Sequence, residues 1–107
     1  MIELRRYQLE DGSTPVTEWL NGLRDARARA QIEVRLRRVS AGNFGDCKPV
    51  GEGVSELRVD IGTGYRVYYG KHGLALVILL CGGDKGSQQA DITRAKAYWV
   101  SWKRRNS

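Results

Sequence analysis

From Glu56 to Tyr69 apolar and polar positions alternate with a period of two, interrupted once. Leu57, Val59 and Ile61 fall on one face and Glu56, Arg58 and Asp60 on the other, the pattern of a half-buried antiparallel strand. After Gly62-Thr63-Gly64, Tyr65, Val67 and Tyr69 continue one face, with Arg66 and Tyr68 opposite. Lys71-His72-Gly73 predicts a second hairpin turn. Leu74 to Cys81 is apolar at every position, so both faces of this third strand should be covered and it should run through the sheet's centre. Gly82-Gly83-Asp84-Lys85-Gly86 is expected to break the sheet.

Upstream, Ile2 to Leu9 predicts a short strand ended by Glu10-Asp11-Gly12-Ser13. Thr14 suits a helix N-cap and Pro15 the first helical position, where a missing N–H costs nothing. A helix over Pro15 to Leu23 follows. Ala28, Ile32, Leu36 and Val39 recur at helical spacing, predicting a second helix from Asp25 to Ser40 with Gly42 as its stop. Asn43 to Gly53, NFGDCKPVGEG, reads as a loop; its glycines lack the Gly-Lys-Ser/Thr ending of a phosphate-binding loop. Ser87 is placed to cap a last helix reaching about Trp102, with Asp91 in its first turn and Ile92, Ala95, Trp99 and Trp102 on one side. The tryptophans are expected to pack on the sheet; an aromatic docking surface is the alternative. The class is α+β, one domain spanning residues 1–107.

Composition narrows the setting. A chain of 107 residues has room for one small core. No segment approaches the roughly 20 apolar residues of a spanning helix, and MIELRRYQL lacks the apolar stretch of a signal peptide, so a cytoplasmic protein with no membrane partner is expected. Cys47 and Cys81 read as reduced thiols, with one disulfide as the alternative.

Eighteen basic residues against twelve acidic ones give a net charge of +6. Six arginines lie between Arg24 and Arg38, and Lys103-Arg104-Arg105 closes the chain. Such clustering favours a polyanionic partner, nucleic acid or an acidic protein. On the second helix Arg24, Arg27, Gln31, Arg35 and Arg38 lie opposite the apolar stripe. Arg29, Glu33 and Arg37 are spaced to pair for about 0.3–0.5 kcal/mol each. The plainer alternative for this helix is a solvated face.

The chemistry open to these residues is limited. One histidine, two distant cysteines and scattered carboxylates make no metal site, and no cofactor motif is present. His72 reads as an exposed turn residue rather than a catalytic one. What remains is Arg58, Arg66, Lys85 and Lys48, with Glu56, Asp84, Gln88 and Asp91 as partners. Arg58 and Arg66 belong to polar sets that can share a sheet face, where guanidinium groups can grip a phosphodiester and stabilise charge building on it. That suffices for metal-independent RNA cleavage by an attacking 2′-hydroxyl. A lysine crowded by arginines has its ammonium form disfavoured, which would let Lys85 or Lys48 move a proton. The alternative is that Arg58 pairs with Glu56 or Asp60 and only stabilises the sheet.

The basic helix, then GNFGDCKPVGEGVSELRV, GTGYRVYY and LLCGGDKGSQQADITRAK, taken in order from about Trp19 to Ala97, resemble the HigB-like branch of the RelE/ParE toxin superfamily. The resemblance implies a RelE-like fold, β-α-α-β-β-β-α, with a helical hairpin packed on a mainly antiparallel sheet. It implies the toxin of a type II toxin–antitoxin pair, cutting mRNA on the ribosome and neutralised by a cognate antitoxin, commonly a helix-turn-helix protein. Relatives poison DNA gyrase instead. By position, Arg66 matches the phosphate-gripping arginine, Lys85 a basic catalytic residue, and Lys48 the basic residue before the second strand. The catalytic tyrosine of some relatives has no clear counterpart, since Gln88 and Asp91 follow Lys85 and Tyr98 lies deeper in the helix. Arg24, Arg27, Arg35, Arg38, Gln88 and Lys103 are the residues expected to contact ribosome and RNA. A module that only binds its antitoxin is a third possibility.

Overall fold

A computed structural model describes all residues, 1–107. In chain order it contains β1 (Glu3–Arg6), α1 (Pro15–Gly22), α2 (Ala26–Ser40), β2 (Cys47–Gly51), β3 (Val54–Val59), β4 (Tyr65–His72), β5 (Leu76–Asp84), a 3-10 turn (Lys85–Ser87) and α3 (Gln88–Arg105). The five strands form one mixed sheet in the order β1-β5-β4-β3-β2. β1 runs parallel to β5, and every other pairing is antiparallel. The class is α+β, and no helix is long and apolar enough to cross a membrane.

The alternation along β3 and β4 sorts two cores onto the two faces of this sheet. Leu57, Val59, Val67 and Tyr69 join Val77 and Leu79 of β5 against Val16 and Leu20 of α1 and Ile32, Leu36 and Val39 of α2. On the other face Val54, Tyr68, Ile78, Leu80 and Cys81 pack against Ala95, Trp99 and Trp102 of α3. β5 is buried on both faces, as its unbroken apolar run requires, but the middle strand is β4 and not β5, because β1 adds only one strand beyond β5 while β3 and β2 add two beyond β4. The three-helix arrangement thus follows from which positions are apolar, and the tryptophans of α3 are core, with the Trp99 and Trp102 rings stacked at 5.3 Å.

Several expected boundaries move. Cys47–Gly51, inside the segment read as a loop, is an edge strand paired with β3 from Cys47↔Leu57 to Gly51↔Val54, so the order is β-α-α-β-β-β-β-α. Pro49 hid it, because proline is excluded from central strands but tolerated at an edge. The second hairpin turn is at residues 73–75: Lys71 and His72 stay in β4, and Leu74 is fully exposed rather than central. His72 meets the Trp102 ring edge-on at 5.2 Å. Gly82 and Gly83 do not break the sheet; β5 continues through both to Asp84.

The helix ends are close to expectation, with different capping groups. Asp25 caps α2 by accepting from the N–H groups of Arg27 and Ala28. Thr14 is the N-cap residue of α1 without a side-chain cap, and Glu18 instead accepts from its N–H. Ser87 donates its hydroxyl to Asp91, leaving Asp84 to accept from the N–H groups of Gly86 and Ser87. Glu33 does not pair along α2: it meets Arg6 of β1 at 3.5 Å, while Arg29 donates to the Leu23 carbonyl. Both cysteines are free thiols. Burial pushes Cys81 up to about 11, which keeps it protonated and unreactive.

Candidate anion-binding site

Strand register sets two rows of side chains on the α3 face of the sheet. One row runs Lys48, Glu56, Tyr68, Cys81 across β2 to β5. The next sets Arg58 directly opposite Arg66, and Arg66 opposite Gly83. Asp46, just before β2, completes this second row, since its carbonyl accepts from the Arg58 N–H. Period-two alternation therefore brings both strand arginines to one place, as anticipated.

The second row opens into a cleft of about 420 Å³ lined by Asp46, Arg58, Asp60, Gly62, Thr63, Gly64, Arg66 and Lys85. None of the lining residues is hydrophobic. Three of the four expected catalytic residues meet there. The turn joining β3 to β4 forms one wall, and the start of the 3-10 turn forms the other, held to it by the bond from the Lys85 N–H to the Gly64 carbonyl.

The three cations are held differently. Arg58 donates from Nε and Nη2 to Asp46 Oδ1, at 3.1 and 2.8 Å. Its carboxylate partner is thus Asp46, not Glu56 or Asp60. Arg66 Nε lies 2.9 Å from Glu56 Oε2, but its N–H is not aligned on that oxygen, and no other protein group hydrogen-bonds its guanidinium. Lys85 has no carboxylate within ion-pair distance. The cleft therefore offers an open lysine and a largely open guanidinium fork, the donors that suit a phosphate or carboxylate oxygen.

Glu56 organises the region from beneath and is wholly buried. Besides Arg66 it has Lys48 Nζ at 3.8 Å from Oε1 and Gln88 Nε2 at 3.4 Å from Oε2. Lys48 is thus on the same face but one row away, outside the cleft lining. Glu56 Oε1, Arg66 Nε and the Tyr68 hydroxyl are buried without a hydrogen-bond partner. Burial, and after it the Glu56 carboxylate, raises the Tyr68 phenol well above its ordinary value, so it remains a protonated donor. Asp91 lies over Gly83, buried, and takes Ser87 and Arg94 as partners.

The outer basic residues do not form one surface. Arg24 and Arg27 are exposed beside the start of α2, where Asp25 adjoins Gly62 of the cleft rim. Arg38 is exposed at the other end of that helix. Arg35 is not a free cation: Nη1 donates to the Arg58 carbonyl at 2.6 Å and Nη2 to those of Phe44 and Asp46. Gln88 faces inward to Glu56. Lys103 is fifteen residues further along α3, about 22 Å away at helical rise, over the Trp99 ring. Reading the sequence missed Asp46, Asp60 and Thr63 as parts of the cleft. The turn signal at residues 62–64 marks the location of Thr63, but nothing local shows that Asp46 folds back beside Arg58.

The chain has a relative of similar sequence. A protein of Haemophilus influenzae, described as uncharacterized, is 54% identical over 78 residues, covering 73% of this chain and 79% of that protein. The two chains belong to one family. No protein-family model matches the chain. The relative's description names no activity, so the chemistry of the cleft is the ground for a functional reading.

Proposed function

We propose that this protein is the toxin of a type II toxin–antitoxin pair, of the RelE/ParE superfamily and its HigB-like branch, and that it cleaves mRNA on the ribosome. The observation that carries the reading is the wholly polar cleft in which Arg58, Arg66 and Lys85 converge. Two helices on one face of the sheet and one on the other also support a RelE-like fold, here with an added edge strand.

In this reading the scissile phosphate enters beside Arg66 and Lys85. The 2′-hydroxyl of the preceding ribose attacks phosphorus; the P–O2′ bond forms, the P–O5′ bond breaks, and the products are a 2′,3′-cyclic phosphate and a 5′-hydroxyl end. The proton lost by the 2′-oxygen balances the one gained by the leaving 5′-oxygen. Arg66 supplies two free nitrogens to the non-bridging oxygens, whose charge grows in the transition state, and Lys85 adds a positive charge. Arg58, tied to Asp46, contributes field and shapes the wall. Arg24 and Arg27 extend positive charge from the rim toward the RNA backbone. The antitoxin in this reading is a helix-turn-helix protein with an acidic surface covering the cleft.

Primer extension on a defined mRNA, with and without translating ribosomes, tests this. New cuts that need ribosomes and disappear in a folded Arg66→Ala variant are expected, with a loss on the order of a hundredfold or more in rate. Intact message during growth arrest overturns the reading and directs attention to DNA gyrase.

A further inference from the structure

We propose that Glu56 is the positioning residue of the cleft: a buried carboxylate that aims the Arg66 guanidinium and joins it to the turn carrying Lys85. The inference deepens the ribonuclease reading and rests on it for the chemistry, while the placement of Arg66 can be measured apart from any activity.

Glu56 is inaccessible, so it does not touch a substrate. A carboxylate is rarely put in such a place without partners, because its desolvation is costly. Its partners come from three separate elements. Arg66 comes from β4 at 2.9 Å, Lys48 from β2 at 3.8 Å and Gln88 from the first turn of α3 at 3.4 Å. Gln88 follows directly on the 3-10 turn that begins with Lys85. A single carboxylate therefore relates the position of the strand arginine to that of the turn lysine.

The way Arg66 is held fits this role. Glu56 lies against Nε, the nitrogen nearest the backbone, and the rest of the guanidinium has no protein partner. The side chain is 14% exposed at the cleft. The ion pair at Nε, made without an aligned hydrogen bond, holds the base of the group by charge and close contact while leaving both terminal nitrogens for a ligand. A carboxylate across those terminal nitrogens would instead occupy the fork that a phosphate needs. Arg58 is the contrast within the same cleft: Asp46 engages its Nε and Nη2 together. Of the two arginines, Arg66 is the one built to bind, and Glu56 is the reason it points into the cleft.

The test uses Glu56→Gln, which keeps shape and an acceptor but removes the charge. The folded variant is examined in two ways. The first is the Nε–H NMR signal of Arg66, assigned with Arg66→Lys: slow rotation of the guanidinium is expected in the native protein and averaging in the variant. The second is cleavage kinetics on programmed ribosomes, where kcat should fall roughly tenfold to a hundredfold with KM nearly unchanged. Glu56→Asp, with the charge kept on a shorter arm, should recover part of kcat and of the NMR restraint. If Glu56→Gln does not fold, Glu56→Asp carries the test, with a loss of restraint and of kcat in step. A folded Glu56→Gln protein whose Arg66 stays restrained, or which cleaves at the native rate, overturns the inference. If the native protein cuts no RNA, the ribonuclease reading fails, and the NMR result still decides whether Glu56 positions Arg66.

Discussion

Two adjacent glycines near the end of β5 carry much of the packing on either side of it. A side-chain carbon on Gly82 would collide with the Trp19 indole, and one on Gly83 with the Asp91 carboxylate and the Ser87 hydroxyl. These glycines admit α1 on one face and the start of α3 on the other. Gly82→Ala should therefore cost about 1–3 kcal/mol through overpacking, read as a shifted urea midpoint. Gly22→Ala, where nothing lies within 4 Å of the added carbon, should stay within about 0.5 kcal/mol of the native protein. Alternation alone put Arg58 and Arg66 on one face, and register confirms that they are direct cross-strand neighbours. The burial of Glu56 was not legible, because its alternation is identical to that of an exposed strand residue. What covers it, Gln88 and α3, is more than 30 residues away in sequence.

At the scale of elements, α2 serves two purposes that its sequence does not separate. Its apolar stripe was plain, and Ala28, Ile32, Leu36 and Val39 are all buried as expected. Its arginines and Arg24 just before it looked alike, yet Arg35 ties three carbonyls of the Phe44–Asp46 segment and β3 together while Arg24 and Arg27 face solvent. Replacing Arg24 and Arg27 with glutamine should weaken ribosome binding and flatten its salt dependence by about two units of slope or less, with stability nearly unchanged. Arg35→Ala should instead lower stability by about 1.5–3 kcal/mol, since it removes a charged donor shared by three carbonyls, two of these contacts being part-buried. Binding across a salt series and chemical unfolding separate the two effects. β2 was missed for a related reason: Pro49 and three glycines argue locally for a loop, and pairing along β3 outweighs them at an exposed edge.

Across the whole molecule, one sheet divides the interior into two cores, and both lean on β4 and β5. Losing either core exposes a face of the same strands, so the chain should unfold as one unit. The expected result is coincident urea transitions by tryptophan fluorescence of a Trp19→Phe variant, which leaves Trp99 and Trp102 on the α3 side as the reporters, and by far-UV circular dichroism, which reports the backbone as a whole. Separate midpoints would show that α3 detaches first. The sequence by itself determined the α+β class, the helical stripes, the β3–β4 hairpin and the burial of β5 on both faces, because apolar periodicity is a local consequence of burial on one face or two. Only the tertiary structure decided which charges meet. Asp46 reaches Arg58, Glu56 reaches Arg66 and Gln88, and Lys85 is left open in the cleft, because pairing among charges depends on distances that strand register and the docking of α3 create and that no local pattern encodes.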